Sequence, residues 1–127
     1  MKEHATELEG LNHHEILSAL LKYLVYDAEK MKAHLDVFDT KLTPEQFAAA
    51  NKALAGFDYR PELPKVKART LVISGKYDGL NPPEEGRECA SLIPDATFVE
   101  MQYSGHAPPY EEPETYLKLV EDFLLER

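Results

Sequence analysis

The fold is decided by residues 70–106, TLVISGKYDGLNPPEEGRECASLIPDATFVEMQYSGH. An apolar run at residues 71–74, followed by a glycine, predicts a buried strand. Prolines 82–83 predict the start of a helix, because the first helical turn does not need a proline N–H, and that helix should stop before Pro94. A second strand is predicted at residues 97–101. Two strands joined by a helix form a right-handed parallel β-α-β unit.

One polar residue of interest follows each predicted strand. Asp78 lies in the loop after the first strand, and His106 lies in the loop after the second. The carboxyl ends of parallel strands meet at one edge of the sheet, where open α/β sheets usually bind ligands, so we expect the two side chains to lie close together. Taken singly, Asp78 is an ordinary turn acid before a glycine, and His106 an ordinary loop histidine. Their pairing in one β-α-β unit favours a functional site.

These residues resemble the C-terminal part of an α/β-hydrolase, closest to the proline iminopeptidases and related ester, lactone and C–C bond hydrolases. In that family the catalytic acid follows the seventh strand and the histidine follows the eighth. TLVISGKYDGLNPPE matches the first pattern, and DATFVEMQYSGHAPPYEEPE matches the second. The resemblance covers roughly residues 57–127 and implies Asp78 as the acid and His106 as the base of a Ser–Asp–His triad.

The family's nucleophile motif is missing from this sequence. None of its serines has a G-x-S-x-G frame, Cys89 has none either, and no HGGG-type oxyanion-hole sequence is present. The serines are Ser18, Ser74, Ser91 and Ser104. Ser104 follows the acid, which is the wrong order for the family, so we interpret it as a loop hydroxyl. We therefore expect the chain to be the cap and C-terminal portion of a hydrolase and to be inactive alone. Whether it is an engineered form, a proteolytic piece or a natural short form stays open.

The N-terminal half is predicted to be helical. Asn12 and Glu15 have the spacing of a capping box. Apolar residues at three- and four-residue spacing then predict one long helix to about residue 35, with a break near Asp36 left open. These apolar residues are Ile16, Leu17, Leu20, Leu21, Leu24 and Val25. Such a stripe must be covered by other parts of the protein. The pattern of residues 1–11 fits either a helix or a frayed arm.

A second N-terminal helix is predicted from TPEQ at residues 43–46, with Gly56 just past its end. Residues 57–67 contain two prolines and are interpreted as a linker. Pro113 predicts the start of a last helix, whose apolar face should pack on the sheet and which should end near Arg127.

The fold class is therefore α/β, with a helical N-terminal half followed by a β-α-β-α unit that resembles the C-terminal part of the α/β-hydrolase fold. In the resembling family a helical cap is inserted just before the seventh strand. By this order, residues 1–56 are assigned as a helical cap-like segment and residues 57–127 as the hydrolase-like segment.

Composition limits the partners and cofactors. The 127 residues include 14 Lys+Arg against 23 Asp+Glu, a net charge of −9, which argues against nucleic acid and anionic membranes because both need basic patches. From the sequence we expect neither a signal segment nor a transmembrane run. The single Cys89 excludes an intrachain disulfide and suits a reducing cytoplasm. His13 and His14 would point about 100° apart on a helix, and His4 and His34 add no partner, so neither a metal nor another cofactor is expected.

Two functions stay open. The first is hydrolysis of a small ester, amide or similar bond, in which Asp78 orients His106, and His106 acts as general base and then acid. The nucleophile and oxyanion hole would come from another chain or from missing sequence. The second is a non-catalytic interaction or oligomerisation module derived from a hydrolase. Because a two-stranded sheet leaves the edge of residues 71–74 unpaired, we expect a homo-oligomer, most simply a two-fold dimer, unless the N-terminal helices fold back over that edge.

Overall fold

The computed structural model describes residues 10–37 and 42–126. Along the chain, its elements are α1 (His13–Leu24), α2 (Ala28–Met31), a 3₁₀ helix (Lys32–Val37), α3 (Pro44–Leu54), a second 3₁₀ helix (Arg60–Lys65), β1 (Thr70–Gly75), α4 (Pro83–Leu92), β2 (Ala96–Met101), α5 (Pro108–Glu111) and α6 (Pro113–Leu124). The interpretation of residues 1–9, including His4, and the side chain of His13 lie outside this description. Within the described ranges, no helix is long and apolar enough to cross a membrane.

Strands β1 and β2 form a two-stranded parallel sheet with α4 as the connection, which confirms the predicted α/β class. The register pairs Thr70 with Ala96 and Gly75 with Met101. Helix α4 packs on both strands. Because the strands are parallel and in register, their carboxyl ends at Gly75 and Met101 lie side by side. This edge positions the two loops that follow.

The single long helix predicted to about residue 35 is wrong. Helix α1 ends at Leu24, Val25 is extended, and Asp27 caps the separate helix α2 by accepting a hydrogen bond from Lys30 N at 3.0 Å. The apolar spacing continues across the turn, because Val25, Ala28 and Met31 all reach the same core. The periodic apolar pattern therefore did not indicate that the helix is interrupted after Leu24.

The main core lies between the N-terminal helices and the loop that carries His106. Its buried side chains are Leu21, Val25, Met31 and Ala107, with Leu24, Ala28 and Leu35 packed against them. The apolar stripe of α1 is thus covered at its C-terminal end, as expected of so strong a stripe.

Helices α3 and α6 bury less than their sequences suggest. Helix α3 has the predicted cap and ends before Gly56, yet it contains no buried residue. Helix α6 starts at Pro113 as predicted, but Leu117 and Leu124 are exposed. The expectation that its apolar face packs on the sheet is only partly correct, because an open cleft separates the two surfaces. Its lining includes Leu71, Thr97 and Val99 of the strands and Leu119 and Phe123 of α6.

Candidate active site

The loops after β1 and β2 are hydrogen-bonded to each other. Lys76 N donates to Met101 O at 2.9 Å, and Tyr77 N donates to Ser104 O at 2.9 Å. These bonds extend the pairing of the two strands past their ends. As a result, Asp78 and His106, the next residues of interest in the two loops, lie at one edge of the sheet.

The structure brings Asp78 and His106 into direct contact. His106 Nδ1 lies 3.0 Å from Asp78 Oδ2, and the Asp78 side chain is 9% exposed against 35% for His106. The other carboxylate oxygen, Oδ1, accepts hydrogen bonds from Leu80 N and Asn81 N, both at 2.9 Å. A carboxylate can only accept, so Nδ1 carries a proton in this contact, and Nε2 is an acceptor whenever the ring is neutral. This is the tautomer that a general base requires.

Glu111 and Glu112, to which the sequence reasoning gave no role, bind the backbone around His106. Glu111 is 8% exposed, and its Oε2 accepts from Gly105 N at 2.9 Å and Ala107 N at 3.0 Å. Glu112 Oε2 accepts from Tyr103 N at 3.1 Å and from the Ser104 hydroxyl at 2.5 Å. With 23 acidic residues in the chain, no local signal distinguishes these two carboxylates from surface charges.

The C-terminal end of α1 contacts both loops. Tyr23 O accepts from Gly79 N at 2.8 Å, and Leu24 O accepts from His106 N. The approach is close enough that a Cβ at Gly79 would overlap Tyr23 O, and a Cβ at Gly105 would overlap Leu24 O. Glycine at these two positions therefore lets the helix end reach the backbone beside Asp78 and His106.

Within the part of the chain that the structure describes, no nucleophile accompanies the pair. Ser104 is fully buried and donates a hydrogen bond to Glu112, so it is a loop hydroxyl, as its position in the sequence predicted. In residues 10–37 and 42–126, no serine or cysteine side chain is hydrogen-bonded to His106. The same part of the chain contains no group of three or more His, Cys, Asp or Glu residues that could hold a metal ion.

Three half-exposed tyrosines border the two loops. The ring of Tyr26 lies 4.8 Å from that of Tyr77 and 5.7 Å from that of Tyr103, measured between centroids. Tyr26 and Tyr103 also line a small pocket with Asp27, Lys30, Met31 and Glu111. Leu24, by contrast, packs against the core. At this helix end, Tyr26 thus lines a pocket, whereas Leu24 contributes to packing.

Solved structures that are similar to this chain are α/β-hydrolases. No family model matches the chain. The enol-lactonase of Burkholderia xenovorans LB400 superposes with a TM-score of 0.75 at 30% identity, over 98% of this chain and 49% of the lactonase. A thermophilic esterase from Thermogutta terrifontis superposes with a TM-score of 0.75 at 26% identity, over 98% of this chain and 48% of the esterase. The fold and these likenesses define the class: the chain is an α/β-hydrolase-family polypeptide that resembles the family's C-terminal part.

The chain is also similar in sequence to part of two larger proteins. The proline iminopeptidase of Heyndrickxia coagulans is 32% identical over 89 residues, which are 70% of this chain and 30% of the iminopeptidase. A putative carbamate hydrolase, RutD, of Pseudomonas syringae pv. syringae is 35% identical over 72 residues, 57% of this chain and 28% of the hydrolase. The chain thus spans less than a third of these relatives and about half of the two solved structures.

Proposed function

We propose that this chain supplies the acid and the base of a hydrolase site for esters, amides or similar bonds in small molecules. Asp78 is the acid and His106 is the base. The observation that carries the proposal is the 3.0 Å contact between His106 Nδ1 and a largely buried Asp78 carboxylate. The names of the iminopeptidase, the carbamate hydrolase and the enol-lactonase support an acyl-type bond as the target.

In this mechanism His106 moves protons and Asp78 holds the ring. Nε2 of His106 takes the proton of a nucleophilic hydroxyl as that oxygen attacks the acyl carbon, and it then passes the proton to the leaving group. Asp78 keeps the proton on Nδ1 and stabilises the imidazolium that forms. Water then releases the acyl group by the same exchange. The hydroxyl and the oxyanion donors come from a segment outside this chain, since an activated base without a nucleophile performs no acyl transfer.

A fusion tests this proposal. The chain would be joined to the half of the Burkholderia xenovorans enol-lactonase that it does not cover, and hydrolysis of p-nitrophenyl acetate would be followed. We expect turnover by the fusion and none by the chain alone. His106→Ala in the fusion should lower kcat by roughly a hundredfold or more, the usual contribution of acid–base catalysis. The exposed His34 provides the matched control, His34→Ala, which should leave the rate unchanged.

Two results would contradict the proposal. A folded fusion without turnover, or one in which His106→Ala is as active as the unchanged fusion, would remove His106 from the mechanism. Turnover by the chain alone that disappears in His106→Ala would show instead that a nucleophile lies within these 127 residues.

The second candidate is an interaction module, and for it we propose a two-fold homodimer. Among the described residues the outer edge of β1 has no strand partner, and unpaired edges recruit other chains. Phe47 and Leu54 of α3 are 55% and 61% exposed, which adds apolar surface for the same purpose. Both features would also suit the missing part of a hydrolase, so the chain alone and the fusion must be compared.

Sedimentation at micromolar concentration tests the dimer. We expect twice 14.4 kDa for the chain alone and a lower tendency to dimerise for the fusion. Phe47→Glu should shift the chain towards monomer, while Ala49→Glu, which adds the same charge to the opposite face of the same helix, should not. A 14.4 kDa monomer with the amides of residues 71–74 protected from exchange would overturn the dimer and indicate that the N-terminal helices cover the edge.

Two further parts of the proposal concern organisation and compartment. We propose that residues 1–56 act as a cap over the site, which is supported by their helices in the described ranges and by the contacts of α1 with both loops. A cytoplasmic location is supported by the single Cys89.

A further inference from the structure

We propose that Glu111 is the positioning residue of the site, and that its carboxylate sets the ring geometry of His106 by holding the backbone on both sides of it. The catalytic meaning of this role rests on the function proposed above. The geometry itself does not, because every group involved belongs to this chain.

The Glu111 carboxylate is shared between two segments far apart in the sequence. Oε2 accepts from the backbone N–H groups of Gly105 and Ala107, the two neighbours of His106, at 2.9 and 3.0 Å. Oε1 accepts from Tyr26 N at 2.7 Å, in the turn where α1 ends. The carboxylate therefore ties the His106 loop to the same helix end whose Leu24 carbonyl receives the His106 N–H.

A carboxylate is suited to this position for a chemical reason. It has acceptors on both oxygens and no donor, and its hydrogen bonds to N–H groups are charge-assisted. Three backbone donors converge on it, and Glu111 is only 8% exposed. A glutamine of the same shape would have to turn its NH₂ group either towards Tyr26 N or towards the pair beside His106. One set of donors would then be left buried without an acceptor.

The position of the backbone determines what the imidazole can reach. Asp78 is held separately, by Leu80 N and Asn81 N on its own loop. The 3.0 Å contact of His106 Nδ1 with Asp78 thus depends on where the His106 loop lies relative to a fixed carboxylate. Loosening Gly105 and Ala107 should lengthen that contact and release the preference of the ring for the Nδ1–H tautomer.

The test is the tautomer of His106 in the full chain, read from long-range ¹H–¹⁵N spectra at about pH 8.5, where a histidine is normally neutral. The unchanged protein should show the Nδ1–H form. Glu111→Gln should show a mixture of both tautomers, approaching that of Asp78→Asn. The amides of Gly105 and Ala107 should exchange roughly tenfold faster, as expected when a charge-assisted hydrogen bond is lost. Glu114→Gln, the same change at an exposed position of α6, should alter neither signal.

The outcomes separate this role from a general effect on folding. A folded Glu111→Gln variant with only the Nδ1–H form and unchanged amide exchange would overturn the proposal. If that variant loses the amide protection of β1 and β2, Glu111→Asp, which keeps the charge and shortens the reach, is read in the same way. If neither variant folds, rapid exchange of Gly105 and Ala107 in the unchanged protein would overturn the proposal, and slow exchange would support it. The chain alone needs no nucleophile for these spectra, so an inactive fusion with an intact tautomer would refute only the proposed function.

Discussion

Helices α1 and α3 begin in the same way and occupy different environments. Both start with a capping box, formed by Asn12 with Glu15 in α1 and by Thr43 with Gln46 in α3, and they are 12 and 11 residues long. Helix α1 nevertheless buries Leu21 in the core, whereas α3 has no buried residue in the structure.

The difference arises at the far ends of the two helices. The last carbonyls of α1 receive hydrogen bonds from the loops of Asp78 and His106. Helix α3 ends before Gly56, where an added Cβ would meet nothing within 4 Å. Caps therefore determine where each helix begins, while contacts with distant loops determine which helix belongs to the site. Helix α1 is part of the scaffold of the site, and α3 stays exposed.

The largest contrast is expected between two leucines. Leu21→Ala should lower the free energy of unfolding by about 2–5 kcal/mol, because it leaves a cavity in the buried core. Leu54→Ala on α3, at 61% exposure, should change it by no more than about 0.5 kcal/mol. Urea denaturation measures both. Equal losses would contradict the contrast, and a concentration-dependent loss at Leu54 would support the proposed dimer.

Two glycines provide the next contrast. Gly105→Ala should cost about 1–3 kcal/mol, because the new methyl group overlaps the backbone of Leu24 and must push the helix end and the loop apart. Gly56→Ala should cost about 1 kcal/mol, solely through its positive φ of 75°. Thermal unfolding compares them. Gly105→Ala alone should also change the His106 tautomer, and a change in both variants would refute a specific role for the α1 contact.

Removal of the two N-caps should change different measured quantities, global unfolding in one helix and local amide exchange in the other. Asn12→Ala and Thr43→Ala each remove a cap worth about 1 kcal/mol to the helix. In α1 the loss should lower the midpoint of global unfolding, because the helix end is part of the core. In α3 it should appear as faster amide exchange within the helix, with little change of the midpoint. A similar shift of the midpoint in both variants would show that α3 is more firmly packed than its exposure indicates.

The smallest effect is expected in the linker that follows α3. Hydrogen bonds from the Arg60 side chain and backbone lower the pKa of Asp58 to about 2, and Arg60 also bonds Glu88 of α4. A lowered pKa stabilises the folded chain above the ordinary value of Asp and loses that contribution as the pH falls towards 2. Because these groups are exposed, the change should be slight. Acid unfolding of Asp58→Asn should lack this pH-dependent contribution to stability. Identical acid-unfolding curves for the variant and the unchanged protein would exclude the contribution.

Part of the candidate site could be predicted from the sequence. The strands, the start of α4 at Pro83 and the edge shared by Asp78 and His106 follow from apolar runs, prolines and the geometry of parallel sheets. The catalytic roles of Asp78 and His106 stay predictions, as does the division of the chain at residue 56 into a cap-like and a hydrolase-like segment. Glu111 was not recognised, because an acid between prolines has the same local pattern whether it is buried or solvated.

Local chemistry and a rule of topology were therefore sufficient to place the two candidate catalytic side chains in neighbouring loops. Three features depended on folding: the end of α1 at Leu24, the exposure of α3 and the burial of Glu111. The physical reason is separation along the chain. Tyr26 and Glu111 are 85 residues apart, and a hydrogen bond between groups so distant leaves no periodicity or spacing that a sequence pattern could reveal.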